Sequence, residues 1–304
     1  MKLGFVSAIL DGWTFEEMMD TAAGLGYECV EAACWPQGKA ERRYAGVSHI
    51  DVDNDSREYV NHIHETCKKT GVEISALAYY PNTMDGDFQK QEDAIRHLKK
   101  VIAFSEKLGV GMVTTFVGRD QTKSVEENLE AFGRIWPPII QYAEEHGVRI
   151  AIENCPMLFG REQWPGGHNL FTSPALWRKM FDMIPSRNFG INYDPSHFVW
   201  QMMDYIQPIY EFRERIFHVH YKDIKVYPQK LKDVGIMAYP LEYMEPKLPG
   251  LGDVDWGRYV SALTDIGYDG FTCVEVEDRA FEADRERILD SLKLSKRYIE
   301  QFVI

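Results

Sequence analysis

The chain predicts a (β/α)8 barrel, on three observations. Short apolar runs alternate with longer helical patterns along the whole length, eight times over, the pattern of repeated βα units around a parallel sheet. Four of the runs end in a polar residue, Glu153, Asp194, His220 and Glu275, and in a barrel all strand ends of one sense meet on one rim. Connections after strands are long at 36–54, 156–172 and 224–254, whereas those after helices are short, and long βα loops build the active rim of a barrel. An open doubly wound sheet is the alternative, but no Gly-rich phosphate loop follows the first apolar run.

The apolar runs place strands at residues 3–9, 29–35, 72–80, 111–117, 148–155, 188–194, 216–222 and 270–277. Helical patterns fill 14–25, 55–69, 87–108, 124–146, 173–183, 202–215, 255–266 and 282–302. Gly26, Gly71, Gly109, Gly147 and Gly267 stand one or two residues before the next strand, as left-handed helix C-caps do. Helix starts are marked by Thr14 with Glu17 and by Ser124 with Glu127, both in capping-box spacing, and by Pro174 after Ser173 in the first turn.

At 304 residues with no break in composition, the chain is expected to form a single barrel domain over 1–304. Hydrophobic residues make up 45% and charged residues 27%, and no run reaches the ~20 apolar residues of a membrane span. The short first run lacks the features of a secretory signal, and the five cysteines, Cys29, Cys34, Cys67, Cys155 and Cys273, lack metal-finger spacing. Buried thiols in a reducing compartment account for them, so a cytoplasmic location is expected. The net charge of −13 repels phosphate backbones and speaks against nucleic acid as a partner.

Three carboxylates and one imidazole form a hard, oxygen-rich set that suits Mn²⁺, Mg²⁺ or a similar dication. Glu153 closes Ile150-Ala151-Ile152-Glu153-Asn154, where a charge facing a closed rim is costly unless paired or metal-bound. Asp194 lies in Asn192-Tyr193-Asp194-Pro195-Ser196-His197, and the proline turns the chain out of the strand. His197 then reaches the same pocket, either to hydrogen-bond substrate or as a plain loop histidine. In Phe217-His218-Val219-His220-Tyr221-Lys222-Asp223, strand periodicity puts His218, His220 and Lys222 on one face. His220 is nearer the rim and reads as the ligand, Lys222 as a pocket-edge group for a substrate oxygen, and His218 as a satisfied core histidine. Glu275 and Glu277 likewise share a face, with Glu275 the ligand and Glu277 and Asp278 solvated rim charges. Trp13, Trp35 and Tyr80 are aromatic candidates for packing on sugar faces, each equally readable as core.

These motifs, together with Gly4-Phe5-Val6-Ser7, Gly26-Tyr27, Val30-Glu31 and Pro249-Gly250-Leu251-Gly252 before Asp255-Trp256, resemble the xylose isomerase-like TIM-barrel superfamily over nearly the whole chain. That superfamily holds sugar isomerases and epimerases, endonuclease IV and inosose dehydratase. Its ketose 3-epimerases bind one divalent ion through a Glu, Asp, His and Glu on strands five to eight, the two glutamates also acting as acid and base. Carried over, these positions are Glu153, Asp194, His220 and Glu275, with Glu153 and Glu275 catalytic and His197 on substrate. The epimerases have an arginine six residues beyond the metal histidine, where this chain has Val226, so substrate recognition differs. Endonuclease IV needs three zinc ions and histidines at the ends of strands three and four, where this chain reads Ala78-Tyr79-Tyr80 and Thr115-Phe116-Val117-Gly118.

The resemblance implies a metal-dependent isomerase or epimerase of a sugar, keto-sugar or cyclitol that works through a metal-stabilised enediolate, with one divalent ion, Mn²⁺ first and Mg²⁺, Co²⁺ or Zn²⁺ as alternatives. Elimination of a β-leaving group from a keto-sugar, keto-cyclitol or 3-keto-glycoside is the second reading, and a non-catalytic sugar-binding barrel the third. Barrels of this group often pair, so a homo-oligomer is compatible with the sequence. The partner expected is a small carbohydrate or cyclitol, without nucleic acid or membrane.

Overall fold

The computed structural model describes residues 1–36, 38, 45–158, 161 and 164–303. Parts of the expected long loops at 36–54 and 156–172 therefore lie outside the described residues. Eight parallel strands close into a barrel in the order expected of repeated βα units: β1 (Lys2–Val6), β2 (Cys29–Ala33), β3 (Glu73–Ala78), β4 (Met112–Thr115), β5 (Arg149–Glu153), β6 (Phe189–Tyr193), β7 (Ile216–Tyr221) and, after an antiparallel pair, β10 (Phe271–Val274). The pair consists of β8 (Asp223–Val226) and β9 (Met244–Lys247). It gives the long segment after β7 a structure of its own, which the apolar pattern did not announce.

Helices α1 (Phe15–Leu25), α2 (Arg57–Thr70), α3 (Phe88–Leu108), α4 (Val125–Glu145) and α5 (Pro174–Met183) lie where the patterns place them. Of the helix expected over 202–215 only the short α7 (Gln207–Glu211) forms, and a separate short helix, α6 (Ser196–Trp200), stands before that range. The Asp204 carboxylate accepts from the Ile206 and Gln207 amides, and Pro208 stands in the first turn of α7, so a new helix starts there rather than continuing an old one. Then come α8 (Pro228–Val234) within the rim segment, α9 (Trp256–Asp265) and α10 (Arg285–Ile299).

Both capping boxes form, at Thr14/Glu17 and Ser124/Glu127. The main core lies between barrel and helices, around Trp136, Trp177, Phe132, Phe189 and Trp256. Inside the barrel the filling is polar near the C-terminal rim, with Glu31, Ser75, Thr114, Asn192, His218 and His220 all buried. Branched apolar side chains are the usual filling there. Among the described residues no helix is long and apolar enough to cross a membrane.

Candidate metal centre

Glu153 is the last residue of β5, His220 the next to last of β7, and Asp194 and Glu275 each follow their strand by one. All four therefore stand on the C-terminal rim, on strands that neighbour one another in the order β5, β6, β7, β10. The His220 Nδ1 atom is 3.3 Å from Glu275 Oε2 and 3.8 Å from Glu153 Oε1. Ligand-type atoms of Glu153, His220 and Glu275 lie within 4.8 Å of one another. Asp194 joins this trio through shared neighbours: His197 Nε2 is 3.2 Å from Asp194 Oδ2 and 3.7 Å from Glu153 Oε1.

Five buried atoms at this point make no hydrogen bond of acceptable geometry: Glu153 Oε1, Asp194 Oδ2, His197 Nε2, His220 Nδ1 and Glu275 Oε2. Buried polar atoms are normally hydrogen-bonded, so several that meet only in ion pairs at one point suit a charged ligand. Three carboxylates and an imidazole fit a dication of the Mn²⁺ or Zn²⁺ type. Burial alone would push the Glu153 carboxyl up, but the charge of Lys222 and the close contacts to His197 and His220 outweigh it and hold the group down at about 2. Asp194 is held low by the same balance, with Lys222 and His197 foremost against burial.

Lys222 lines the cavity, as expected, but is deeply buried among carboxylates. Its side chain is 2% exposed, and Nζ lies 2.8 Å from Glu275, 3.1 Å from Asp194, 3.4 Å from Glu277 and 3.8 Å from Glu153. Buried carboxylates draw a counter-charge inward, and the long lysine stem allows it. Glu277 is accordingly no free rim charge but part of this cluster. Asp278 is buried as well, capping Ala280 and facing the Leu248 amide.

His197 receives a 3.4 Å contact from the Trp200 indole N–H at Nδ1. An indole nitrogen only donates, so Nδ1 accepts and Nε2 carries the hydrogen that faces the carboxylates. His218 is satisfied within the barrel, with Nδ1 3.0 Å from Asn192 Oδ1 and Nε2 3.1 Å from Ser75 Oγ.

A cavity opens above the cluster, with about 630 Å³ of empty space counting the part open to solvent. Trp35 and Tyr80 stand in its wall, with Phe116 and Met157, while Glu153, Glu275, Glu277 and Lys222 supply its polar side. Trp13 is not among the lining residues; its ring instead carries the Arg285 guanidinium 4.7 Å from the centroid. Sequence reasoning missed Glu31 as a site residue. It is fully buried on β2 and lies 2.6 Å from His220 Nε2 and 2.6 Å from the Tyr80 hydroxyl. Burial would raise its carboxyl, but the facing His220 and its hydrogen bond outweigh that and hold it low. The one signal was a lone acid inside the apolar run Cys29-Val30-Glu31-Ala32-Ala33.

The profile of the xylose isomerase-like TIM barrel family matches residues 19–298. Among curated proteins, an inosose dehydratase of Clostridium perfringens is 27% identical over 300 residues, covering 91% of this chain and 90% of that one. The solved structure of the IOLI protein with a bound zinc atom superposes with a TM-score of 0.73 at 18% identity, over 99% of both chains. A D-tagatose 3-epimerase-like protein gives a TM-score of 0.70 at 19% identity, over 99% of this chain and 98% of that one. At such identities the two structures speak for the fold alone.

Proposed function

The chain belongs to the xylose isomerase-like TIM barrel family, and from that premise we propose that it is a divalent-metal-dependent isomerase or epimerase of an uncharged sugar, keto-sugar or cyclitol. The reading takes residues 1–304 as one barrel domain. Its main support is the convergence beneath one cavity of five buried atoms from Glu153, Asp194, His197, His220 and Glu275 that lie in ion-pair range of one another or of Lys222 but make no hydrogen bond of good geometry. Glu153, Asp194, His220 and Glu275 would hold the ion, which when bound supplies Lewis-acid polarisation of a carbonyl oxygen.

The chain's own groups do the rest. Glu153 and Glu275 both line the cavity, 3.8 and 3.3 Å from His220 Nδ1. One carboxylate takes the proton from the carbon beside the carbonyl, and the other returns one to the same or the adjacent carbon, giving epimerisation or isomerisation. His197 offers its Nε2 hydrogen to a substrate oxygen, and Lys222 steadies the negative charge that develops as the proton leaves. The apolar wall of Trp35, Tyr80 and Phe116 covers a sugar face and keeps water from the carbanion. Among the described residues Lys222 is the one basic side chain lining the cavity, which suits an uncharged substrate.

The likeness to inosose dehydratase favours a second reading. The same proton abstraction can be followed by loss of a β-hydroxyl: the C–O bond breaks, the acid protonates the departing oxygen, and water leaves. Incubation with Mn²⁺ and a panel of ketoses and inososes in D₂O separates the two readings. Deuterium uptake at unchanged composition indicates isomerisation; loss of water indicates elimination. Glu153→Gln and Glu275→Gln should each abolish deuterium uptake, and near-normal exchange in either would defeat its assigned role.

A further inference from the structure

We propose that Glu31 is the positioning residue of this centre: it holds His220 in the tautomer whose Nδ1 faces Glu153 and Glu275, and the same carboxylate ties the Tyr80 wall of the cavity to that histidine. The inference rests on the ion-binding reading above.

Glu31 lies on β2, three strand steps from β7 around the barrel through β1 and β10. Its side chain therefore crosses the interior to reach His220, 189 residues away in sequence. Both of its oxygens are engaged. Oε1 accepts from the Tyr80 hydroxyl at 2.6 Å and from the Thr114 hydroxyl at 2.9 Å. Oε2 stands 2.6 Å from His220 Nε2, with His218 Nδ1 at 3.5 Å.

An ionised carboxylate only accepts, so the hydrogen on His220 is on Nε2. The Asn192 amide nitrogen is also 2.9 Å from that atom, but two donors do not bond each other. The Asn192 amide has its own acceptor in the Tyr80 hydroxyl at 3.1 Å. With Nε2 committed, the lone pair of Nδ1 is left for the centre, and Nδ1 is one of the five atoms without a hydrogen bond. A carboxylate behind a ligating imidazole fixes its tautomer and ring orientation and raises its basicity.

The arrangement reaches beyond one ligand. Tyr80 lines the cavity, so a single buried anion sets both the ion ligand and an aromatic substrate wall. A ring flip at His220 would break its 2.6 Å contact to Glu31, which opposes the flip.

Two measurements test this. In the zinc-loaded wild-type protein, long-range ¹H–¹⁵N correlation of the imidazoles should show His220 protonated at Nε2 and zinc-shifted at Nδ1. Titration calorimetry with Zn²⁺ should show Glu31→Gln, which keeps the shape and loses the charge, binding roughly 10–100-fold more weakly. Coordination through Nε2, or an unchanged dissociation constant in Glu31→Gln, overturns the proposal. If Glu31→Gln does not fold, the wild-type tautomer decides alone. If the wild-type protein takes up no zinc, the ion-binding reading itself falls and this proposal with it.

Discussion

Replacing Asp223 with asparagine probes how the rim beside the candidate centre is held. Asp223 follows Lys222 and is fully buried. Its Oδ1 accepts from the Ile224 and Val254 amides at 2.8 and 3.0 Å, and its Oδ2 from the Gly250 amide and the Trp256 indole, both at 2.9 Å. One carboxylate thus clamps the two ends of the segment that carries β8, α8 and β9. Gly252 makes the approach possible, since a Cβ there would lie 2.2 Å from Oδ1. In Asp223→Asn one oxygen becomes an NH₂ group that must face two donors. Each buried group left unsatisfied costs about 1–3 kcal/mol, so the two together cost about 2–6 kcal/mol. Burial pushes the Asp223 carboxyl above its ordinary value, and its four donors offset this only in part. The neutral amide escapes that cost, which brings the expected loss to the lower half, about 2–4 kcal/mol. Urea unfolding of the ion-free protein, followed by tryptophan fluorescence, should show a lower midpoint at an unchanged slope. The thermal midpoint should fall by about 5–15 °C, at roughly 2–4 °C per kcal/mol for a domain of this size. A loss under about 1 kcal/mol would refute the reasoning, because it would mean the four donors do not depend on this carboxylate.

Binding of a dication to the folded protein should stabilise it by about 2.7 kcal/mol when free Mn²⁺ is at 100 times its dissociation constant. Differential scanning fluorimetry should show the rise in wild type, its reversal by chelator and its loss in Asp194→Asn; an equal rise in the variant would remove Asp194 from the ligand set. A pH effect is expected from His49 and His97, away from the centre. Burial holds both imidazoles below their ordinary value, against the hydrogen bonds of His49 to Leu10 and of His97 to Cys34. A histidine lowered in the folded state is protonated first in the unfolded chain, so its stabilising share is complete above about pH 6.5 and is lost as pH falls toward the lowered folded value. The urea midpoint of His49→Gln/His97→Gln should fall less than that of wild type between pH 7 and 5, and parallel profiles would dismiss both residues.

The eight barrel strands were legible because a parallel strand is covered on both faces and reads as an unbroken apolar run. Glu153, Asp194, His220 and Glu275 were legible for a related reason: a polar residue that ends such a run is the first one on the rim. Where a different force decides, the pattern fails. Residues 202–215 keep a helical spacing, but the Asp204 carboxylate and Pro208 start a new helix inside it. Trp13 has the right place after β1, yet its face is taken by Arg285 from the far end of the chain. Lys222 has the right strand parity and lines the cavity, but its pairing with the nearby carboxylates could not be read from the strand pattern.

Glu31 is the instructive miss. The pattern marks an acid within an apolar run as an exception without saying what accepts its charge, and the answer lies on strands brought near only by barrel closure. A buried acid in mid-strand must find donors for both oxygens or forfeit the fold. In this barrel three of its donors, Tyr80, Thr114 and His220, come from beyond β3, from β4 and from β7. Rim residues can therefore be found from strand ends alone, whereas the residues that orient them are found by asking of each interior acid which imidazole or hydroxyl the closed barrel sets against it. Applied to β2, that question leads directly from Glu31 to the tautomer of His220.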